Sequence, residues 1–353
     1  MVDLRPVQKT KHAIEVRVDP RVELISVIQH ISRYRETFPF LLNAEPFPYR
    51  DAVTGHFTDY ADHAVVKRFD EISSQPRMFN FMAPPTTMLY LRSDLTLRDD
   101  VVWPEAVLQR AGGREKLETF AAHLRAFSKE TAFPSFYAAH AAYYESVVTA
   151  VIAKLGAKDY VRELEAFYGV QHSSYTLVLV SLYGHVGFGP YLDTLAGERQ
   201  IYNILGPQGM QAGIPVFGDP GYFATMQRHE FSHSFVNPLT DKHWDQAKAY
   251  AHLYDALPRQ KVCGEWNECV NEYIIRAVTT YLAFQDSETA GQVARKAERA
   301  RNVVLIDDLL ARIREYAAHR EQYPTIDDYY PYLLKAFADL PSSSGGEAAA
   351  RTY

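Results

Sequence analysis

The chain has little cysteine, no long apolar run and no excess of positive charge. No stretch of its 353 residues approaches 18 consecutive apolar residues, so the sequence predicts no membrane-spanning helix. The formal net charge is −6, which gives no basic footprint and predicts that nucleic acid is not a partner. Hydrophobic residues make up 47% and charged residues 23%, the balance of a globular protein with a sizeable core.

The two cysteines, Cys263 and Cys269, are six positions apart. A disulfide between them requires Cys263 to lie in a loop before a helix, so free, buried thiols are the favoured prediction and the compartment stays open. The first residues, MVDLRPVQKTKHAIEV, lack the apolar core of a signal peptide, which predicts a cytoplasmic protein as the chain stands. An exported or periplasmic location fits if the chain is a processed or truncated form.

The most informative motif is His229-Glu230-Phe231-Ser232-His233. On an α-helix, residues four apart lie on one face, so both imidazoles can bind one metal ion. Glu230 follows the first histidine, where its carboxylate can reach a water molecule held by that metal. The pattern therefore predicts a zinc hydrolase with His229 and His233 as metal ligands and Glu230 as general acid and base. The alternative is a helix whose histidines only pack or bond to the backbone.

The sequence around this motif favours a helix. Asp219-Pro220 supplies an N-cap followed by an N1 proline, and Asn237-Pro238 supplies a stop signal. We therefore expect an apolar helix of about 16 residues between these two signals.

A catalytic zinc needs a third protein ligand, and a downstream helical stretch supplies two candidates. In GEWNECVNEYIIRAVTTYLAF, Glu268 and Glu272 are four apart and share a helical face. The alternative for Glu272 is an ordinary surface carboxylate or one paired with an arginine. A metal-bound histidine also needs an acceptor for its other N–H, for which Glu268, Glu265, Asp245 and main-chain carbonyls are candidates.

The pair Asn271-Glu272 resembles the Asn-Glu pair of the gluzincin metallopeptidases, whose third zinc ligand is a glutamate on a second helix. This resemblance implies Glu272 as the third ligand and Glu268 as its substitute. The gluzincin pattern continues toward an acidic residue four positions later, where this chain has Arg276.

A wider resemblance runs from about Ile14 to about Phe337. HEFSHSFVNP, CVNEYIIRA and VDPRVELISVIQHIS are similar to a bacterial family of unknown function regarded as metallopeptidases. The resemblance implies gluzincin-like hydrolysis, with one Zn²⁺ per chain bound by His229, His233 and Glu272.

The order of predicted elements indicates an α+β fold that is predominantly α-helical. We expect a zincin-like core with a small mixed β-sheet before the HExxH helix, built in part from strands at Tyr175–Leu182 and Gln200–Leu205. In gluzincin-like enzymes the edge strand of such a sheet pairs with the substrate, and Gln200–Leu205 lies where that strand is expected. The alternative is that the glycine-rich stretches around it are hairpin turns and no more. The predicted regions are a helical N-terminal region (1–170), a catalytic region (171–340) and a disordered tail (341–353).

These features favour a zinc metallopeptidase acting on a peptide or protein substrate. Two alternatives stay open: a zinc hydrolase of a non-peptide amide or ester, and a catalytically inactive zincin-like binding protein. The oligomeric state is unknown. A second donor to the developing oxyanion is expected, and the candidates are His185, Tyr183, Tyr281, Tyr329 and Tyr330.

Overall fold

The computed structural model of the protein describes residues 5–258 and 262–339. Helices take up 59% of it and accompany a small mixed sheet, so the predicted α+β, predominantly helical class is confirmed. The chain forms two compact units: one comprises Met1–Val161 with His172–Phe231, and the other Arg162–Gln171 with Ser232–Tyr353. The predicted boundary after residue 170 stays a prediction. The predicted tail, 341–353, lies outside the described residues.

The first unit contains all strands of the described residues. The strands are β1 (Val7–Lys11), β2 (Ile14–Val18), β3 (Ser174–Leu179), β4 (Gly187–Phe188), β5 (Tyr191–Asp193), β6 (Arg199–Leu205) and the separate hairpin β7 (Gly209–Gln211) with β8 (Ile214–Val216). A mixed sheet has the strand order β1-β2-β3-β6-β4, and β5 also pairs with β6. Strands β2, β3 and β6 run parallel to one another, while β1, β4 and β5 are antiparallel to their neighbours.

The predicted strands at Tyr175–Leu182 and Gln200–Leu205 correspond to β3 and β6, but the expectation that Gln200–Leu205 is the edge strand is wrong. Strand β6 is paired on both sides, with β3 on one and with β4 and β5 on the other. Strands β4 and β5 continue one register along β6, so the segment from Gly187 forms the edge there as far as Asp193, whose main-chain oxygen accepts the N–H of Val102. The sequence did not indicate strands here, because Gly184, Gly187 and Gly189 are residues typical of turns.

Sixteen α-helices lie within the described residues. They are α1 (Pro20–Ile31), α2 (Tyr34–Thr37), α3 (Pro48–Phe57), α4 (Ala64–Ser73), α5 (Ala83–Leu89), α6 (Glu105–Arg110), α7 (Arg114–Glu130), α8 (Phe133–Ala139), α9 (Ala141–Lys154), α10 (Tyr160–Tyr168), α11 (Pro220–Lys242), α12 (Trp244–Lys248), α13 (Trp266–Asp286), α14 (Glu288–Ala300), α15 (Ile306–Ala318) and α16 (Ile326–Leu334), with 3₁₀ turns at Pro39–Leu41, Thr58–Tyr60, Ala251–Ala256 and Lys335–Asp339. No helix among the described residues is both long enough and apolar enough to span a membrane.

Helix α1 is buried over most of its surface rather than on one face only. It packs against α3, α4 and α5, so its polar residue Glu23 is only 1% exposed. The Tyr49 hydroxyl donates a hydrogen bond to Glu23 Oε1 at 2.6 Å and lies 2.7 Å from the Tyr144 hydroxyl. Burial raises the pKa of Glu23 to about 7, although the hydrogen bond from Tyr49 acts in the opposite direction.

In the second unit, helix α13 packs against α14 and α15. Its buried stripe follows the helical repeat through Trp266, Val270, Tyr273 and Ala277. Glu272 and Arg276 belong to a different stripe, which is half-buried. The apolar stripe therefore fixes the rotation of α13 and, with it, the direction in which these charged side chains project.

The two cysteines form a disulfide, so the prediction of free thiols is wrong. Cys263 lies in the loop before α13, and its Cα atom is 5.0 Å from that of Cys269 in the first turn of the helix. This is the loop placement that the six-residue spacing requires, and it brings the Cα atoms within the usual disulfide range.

The buried carboxyl group of Glu23 predicts a pH-dependent stability. The folded-state pKa of about 7 exceeds the ordinary value of 4.5, so folding favours the protonated form. Its contribution is fully present below about pH 4.5 and is lost as the pH rises through 7. We expect Glu23→Gln to remove this loss, which amounts to on the order of 3 kcal/mol. Urea unfolding of both proteins between pH 4.5 and 8 measures it; parallel pH profiles would contradict the assignment.

Candidate metal centre

Helix α11 carries the HExxH motif and is longer than the sequence predicts. It begins at Pro220, where Asp219 Oδ1 accepts the Tyr222 N–H at 2.8 Å, as the N-cap signal predicts. It does not stop at Asn237-Pro238 but continues to Lys242, with Pro238 inside it. The proline removes one main-chain donor. The final turn is nevertheless held, because Thr240 is buried in a hydrogen-bond network and Lys242 forms an ion pair with Asp327.

His229 and His233 lie one turn apart on this continuous helix, and both are half-buried. His233 Nδ1 lies 3.2 Å from Asn237 Oδ1, an oxygen that can only accept, so a hydrogen bond at this contact requires the tautomer with its proton on Nδ1. Nε2 then has a lone pair for a metal ion. Asn237 is thus the partner of the second imidazole nitrogen, a role for which sequence reasoning considered Glu268, Glu265, Asp245 and main-chain carbonyls. The i, i+4 spacing from His233 to Asn237 was the available signal, but the expected helix end at Asn237 obscured it.

Of the two candidate glutamates, Glu272 is the one that faces His233. Its Oε1 lies 3.4 Å from His233 Nε2. His229, His233 and Glu272 each offer one ring nitrogen or carboxylate oxygen, and these three atoms all lie within 4.8 Å of one another. Glu268 is exposed and its Oε2 instead accepts the N–H of Gly264 at 2.8 Å, in the loop before α13.

The chemistry of the three residues fits a zinc ion. Zn²⁺ prefers imidazole nitrogen and carboxylate oxygen at about 2.0–2.2 Å in a tetrahedral arrangement, which separates neighbouring ligand atoms by about 3.4 Å. The distance between His233 Nε2 and Glu272 Oε1 has this value. Two imidazoles and one carboxylate also leave one tetrahedral position for water or substrate.

An arginine lies directly behind the carboxylate of Glu272. Arg276 Nε donates to Glu272 Oε2 at 2.9 Å, while Arg276 Nη1 donates to Glu298 Oε2 at 3.1 Å. Burial tends to lower the pKa of Arg276, but the two carboxylates outweigh it and raise the pKa above the usual value.

Glu230 is buried in the first unit beside the sheet edge. A Cβ atom at Gly187 would lie 2.8 Å from Glu230 Oε1, and one at Gly189 would overlap the main-chain oxygen of Glu230. Only glycine fits at Gly189, whereas a side chain at Gly187 would displace the end of the Glu230 side chain. The two glycines therefore bring the edge strand against the helix at the position of Glu230.

Tyr222 is a candidate functional residue that sequence reasoning missed. It lies eight residues before Glu230 on α11, about two helical turns away along the helix and about 80° around its axis. Burial and then the charge of Glu230 raise the pKa of Tyr222, so this phenol stays protonated and can donate a hydrogen bond. Its ring lines an open groove of about 580 Å³ together with Lys154, Met210 and Val216. The sequence spacing gave no signal for this residue, because eight positions do not return to the same helical face.

Three of the five predicted oxyanion donors have their hydroxyl groups engaged elsewhere. The Tyr183 hydroxyl donates to Gln29 at 2.8 Å, and that of Tyr329 donates to Glu315 at 2.8 Å. The Tyr330 hydroxyl is buried 2.5 Å from Thr240 Oγ1.

The other two predicted donors differ in their surroundings. His185 Nε2 lies 2.5 Å from the main-chain oxygen of Gln208. The ring of Tyr281 packs 5.7 Å from that of Phe167 in the second unit. The charge of Glu230 contributes to the raised pKa of Tyr222, whereas the contacts of these five residues are with other groups.

The fold and these side chains define a predominantly helical α+β protein with a His-His-Glu cluster on two helices. The model of the family described as "Domain of unknown function (DUF4932)" matches residues 14–336, and the chain belongs to that family. Neither the curated proteins nor the solved structures include a match to this chain.

Proposed function

We propose that the protein is a zinc-dependent metallopeptidase with His229, His233 and Glu272 as its metal ligands and Glu230 as its general acid and base. The observation that carries the proposal is the convergence of the three ligand atoms within 4.8 Å. The second support is the position of Glu230, which follows the first ligand on the same helix and is held against the sheet edge. A binding protein that only held a metal would have no use for this buried carboxylate.

The proposed reaction is hydrolysis of a peptide bond. Zinc supplies a positive charge that lowers the pKa of a coordinated water to about 7 and polarises the carbonyl group under attack. Glu230 accepts a proton from the attacking water as the new C–O bond forms. It then delivers that proton to the leaving nitrogen as the C–N bond breaks. Asn237 keeps the proton of His233 on Nδ1 throughout, so the other nitrogen remains a ligand.

The edge segment Gly187–Asp193 supports a peptide as the substrate. The N–H groups of Gly206 and Tyr202 donate to the main-chain oxygens of Val186 and Pro190, so the even-numbered residues of the edge point toward β6. The main-chain groups of Gly187 and Gly189 therefore point outward, because successive residues of a strand alternate. An extended peptide can add to such an edge through its own main chain, independent of its sequence.

We assign Tyr222 as a donor to the carbonyl oxygen under attack. Its phenol is kept neutral by burial and by the nearby charge of Glu230, and its ring borders the groove of the first unit. A neutral hydroxyl group placed near the catalytic carboxylate can stabilise negative charge as it develops on that oxygen.

Zinc stoichiometry tests the ligand set. We expect the wild type to bind about one zinc per chain, while His233→Ala and Glu272→Ala lose tight binding because each removes one of three protein ligands. Glu268→Ala is the matched control, since it removes a carboxylate one turn earlier on α13 whose oxygen is turned to Gly264. Metal analysis after dialysis against a weak chelator measures this. Full zinc retention in His233→Ala would reject the site, and loss only in Glu268→Ala would transfer the ligand role.

Glu230→Gln tests the role of the catalytic carboxylate. The substitution keeps the size of the side chain and removes its basicity, so we expect unchanged zinc content and melting temperature. The rate constant kcat for peptide cleavage should fall about 10²–10⁴-fold. Mass spectrometry of a peptide library incubated with both proteins measures the cleavage. Equal cleavage by both would exclude Glu230 as the base. Zinc-loaded wild type that cleaves only esters or non-peptide amides would change the proposed substrate class.

Tyr222→Phe tests the proposed oxyanion donor. The variant keeps the ring and loses the hydroxyl group, so zinc content should stay at the wild-type value while kcat falls about 10²-fold. KM should change little, because the hydrogen bond strengthens only as charge develops. Tyr281→Phe is the control. A Tyr222→Phe variant with wild-type kcat would show that another group fills this role.

A further inference from the structure

The carboxylate of Glu272 has its two oxygens directed to different partners. Oε1 lies 3.4 Å from His233 Nε2, on the side of the ligand cluster. Oε2 accepts a hydrogen bond from Arg276 Nε at 2.9 Å, one turn further along α13. Both side chains are mostly buried, with exposed fractions of 16% for Glu272 and 18% for Arg276, so water screens this ion pair only in part.

Arg276 is itself held in place by a carboxylate on the next helix. Arg276 Nη1 donates to Glu298 Oε2 at 3.1 Å, and the side chain of Glu298 is 12% exposed. The other oxygen of Glu298 accepts from Arg301 Nη1 at 3.1 Å. The planar guanidinium of Arg276 thus spans two carboxylates on two helices, a geometry that the single ammonium group of a lysine cannot reproduce.

Resting on the proposed function, we infer that Arg276 is a positioning residue that makes Glu272 a one-oxygen ligand. The ion pair would hold Oε2 away from a metal bound by the cluster and leave Oε1 as the ligand atom, so that the three residues would supply three donor atoms and leave a fourth position open. Glu298 holds the guanidinium of Arg276 in place and balances its positive charge. The charge of Arg276 therefore does not prevent a metal cation from binding nearby.

Metal affinity and cobalt spectroscopy of Arg276→Met test this inference. Without Arg276 the carboxylate is free to rotate, so the metal must order it, and disrupting such a supporting contact typically weakens binding 10- to 100-fold. We expect the zinc dissociation constant, measured by competition with a chromophoric chelator, to rise by that factor. With Co²⁺ in place of zinc, we expect the wild type to show the intense visible bands of a four-coordinate ion. These bands should weaken in Arg276→Met as Oε2 turns to the metal and the coordination number rises.

Three further variants keep the test interpretable. Arg276→Lys retains the charge and loses the fork, so it should also weaken zinc binding and weaken the cobalt bands. The double variant Arg276→Met/Glu298→Gln also removes the carboxylate charge that loses Arg276 as a partner, and it should show the same cobalt spectrum as Arg276→Met. Arg299→Met is the matched control, because this arginine on α14 pairs with Asp307 instead. The melting temperature of each metal-free protein reports whether the variant is folded.

The outcomes separate this inference from the proposed function. Wild type that binds neither zinc nor cobalt overturns both. If the wild type binds zinc and cleaves peptides while Arg276→Met has the dissociation constant and cobalt spectrum of Arg299→Met, only the positioning role of Arg276 is overturned. A weaker dissociation constant with an unchanged cobalt spectrum also overturns it, because the carboxylate then keeps its orientation without the arginine.

Discussion

The candidate site depends on helix α11 staying regular from Pro220 to beyond His233. A one-turn separation of two imidazoles exists only while the intervening residues keep helical geometry. Asp219 secures the beginning of this helix by accepting the Tyr222 N–H. Asn237 binds the imidazole of His233 one turn later, so the residue that looks like part of a stop signal instead belongs to the site.

Charge in the second unit alternates along a half-buried path from Glu272 to Arg276 to Glu298. An isolated charge in such a place would be costly, because it loses hydration without gaining a partner. Each member here has a partner of opposite sign, and Arg301 extends the path toward solvent. The resulting network ties α13 to α14 at the level of the proposed ligand.

In the first unit, the position of Glu230 depends on the close approach of the edge strand to helix α11. Gly187 and Gly189 have no Cβ atoms, which lets the edge strand lie directly against Glu230. The same two residues present main-chain groups to the outside of the sheet. This pair of glycines thus brings the edge strand against the carboxylate that we propose as the catalytic base, and it forms the surface along which we propose that an extended chain binds.

The sequence by itself determined the local features of this protein, because these depend on residues close together in the chain. The N-cap of α11, the one-turn spacing of the two histidines, the strands β3 and β6 and the predominantly helical α+β class were all predictable from periodicity and turn chemistry. Features that depend on groups far apart in the fold were visible only in the tertiary structure. Glu272 rather than Glu268 faces His233, and Cys263 is paired with Cys269. Glu23 is buried against Tyr49, and the edge of the sheet is formed by Gly187–Asp193 rather than by β6. Each of these follows from the rotation and packing of whole helices and strands, which a local pattern does not encode.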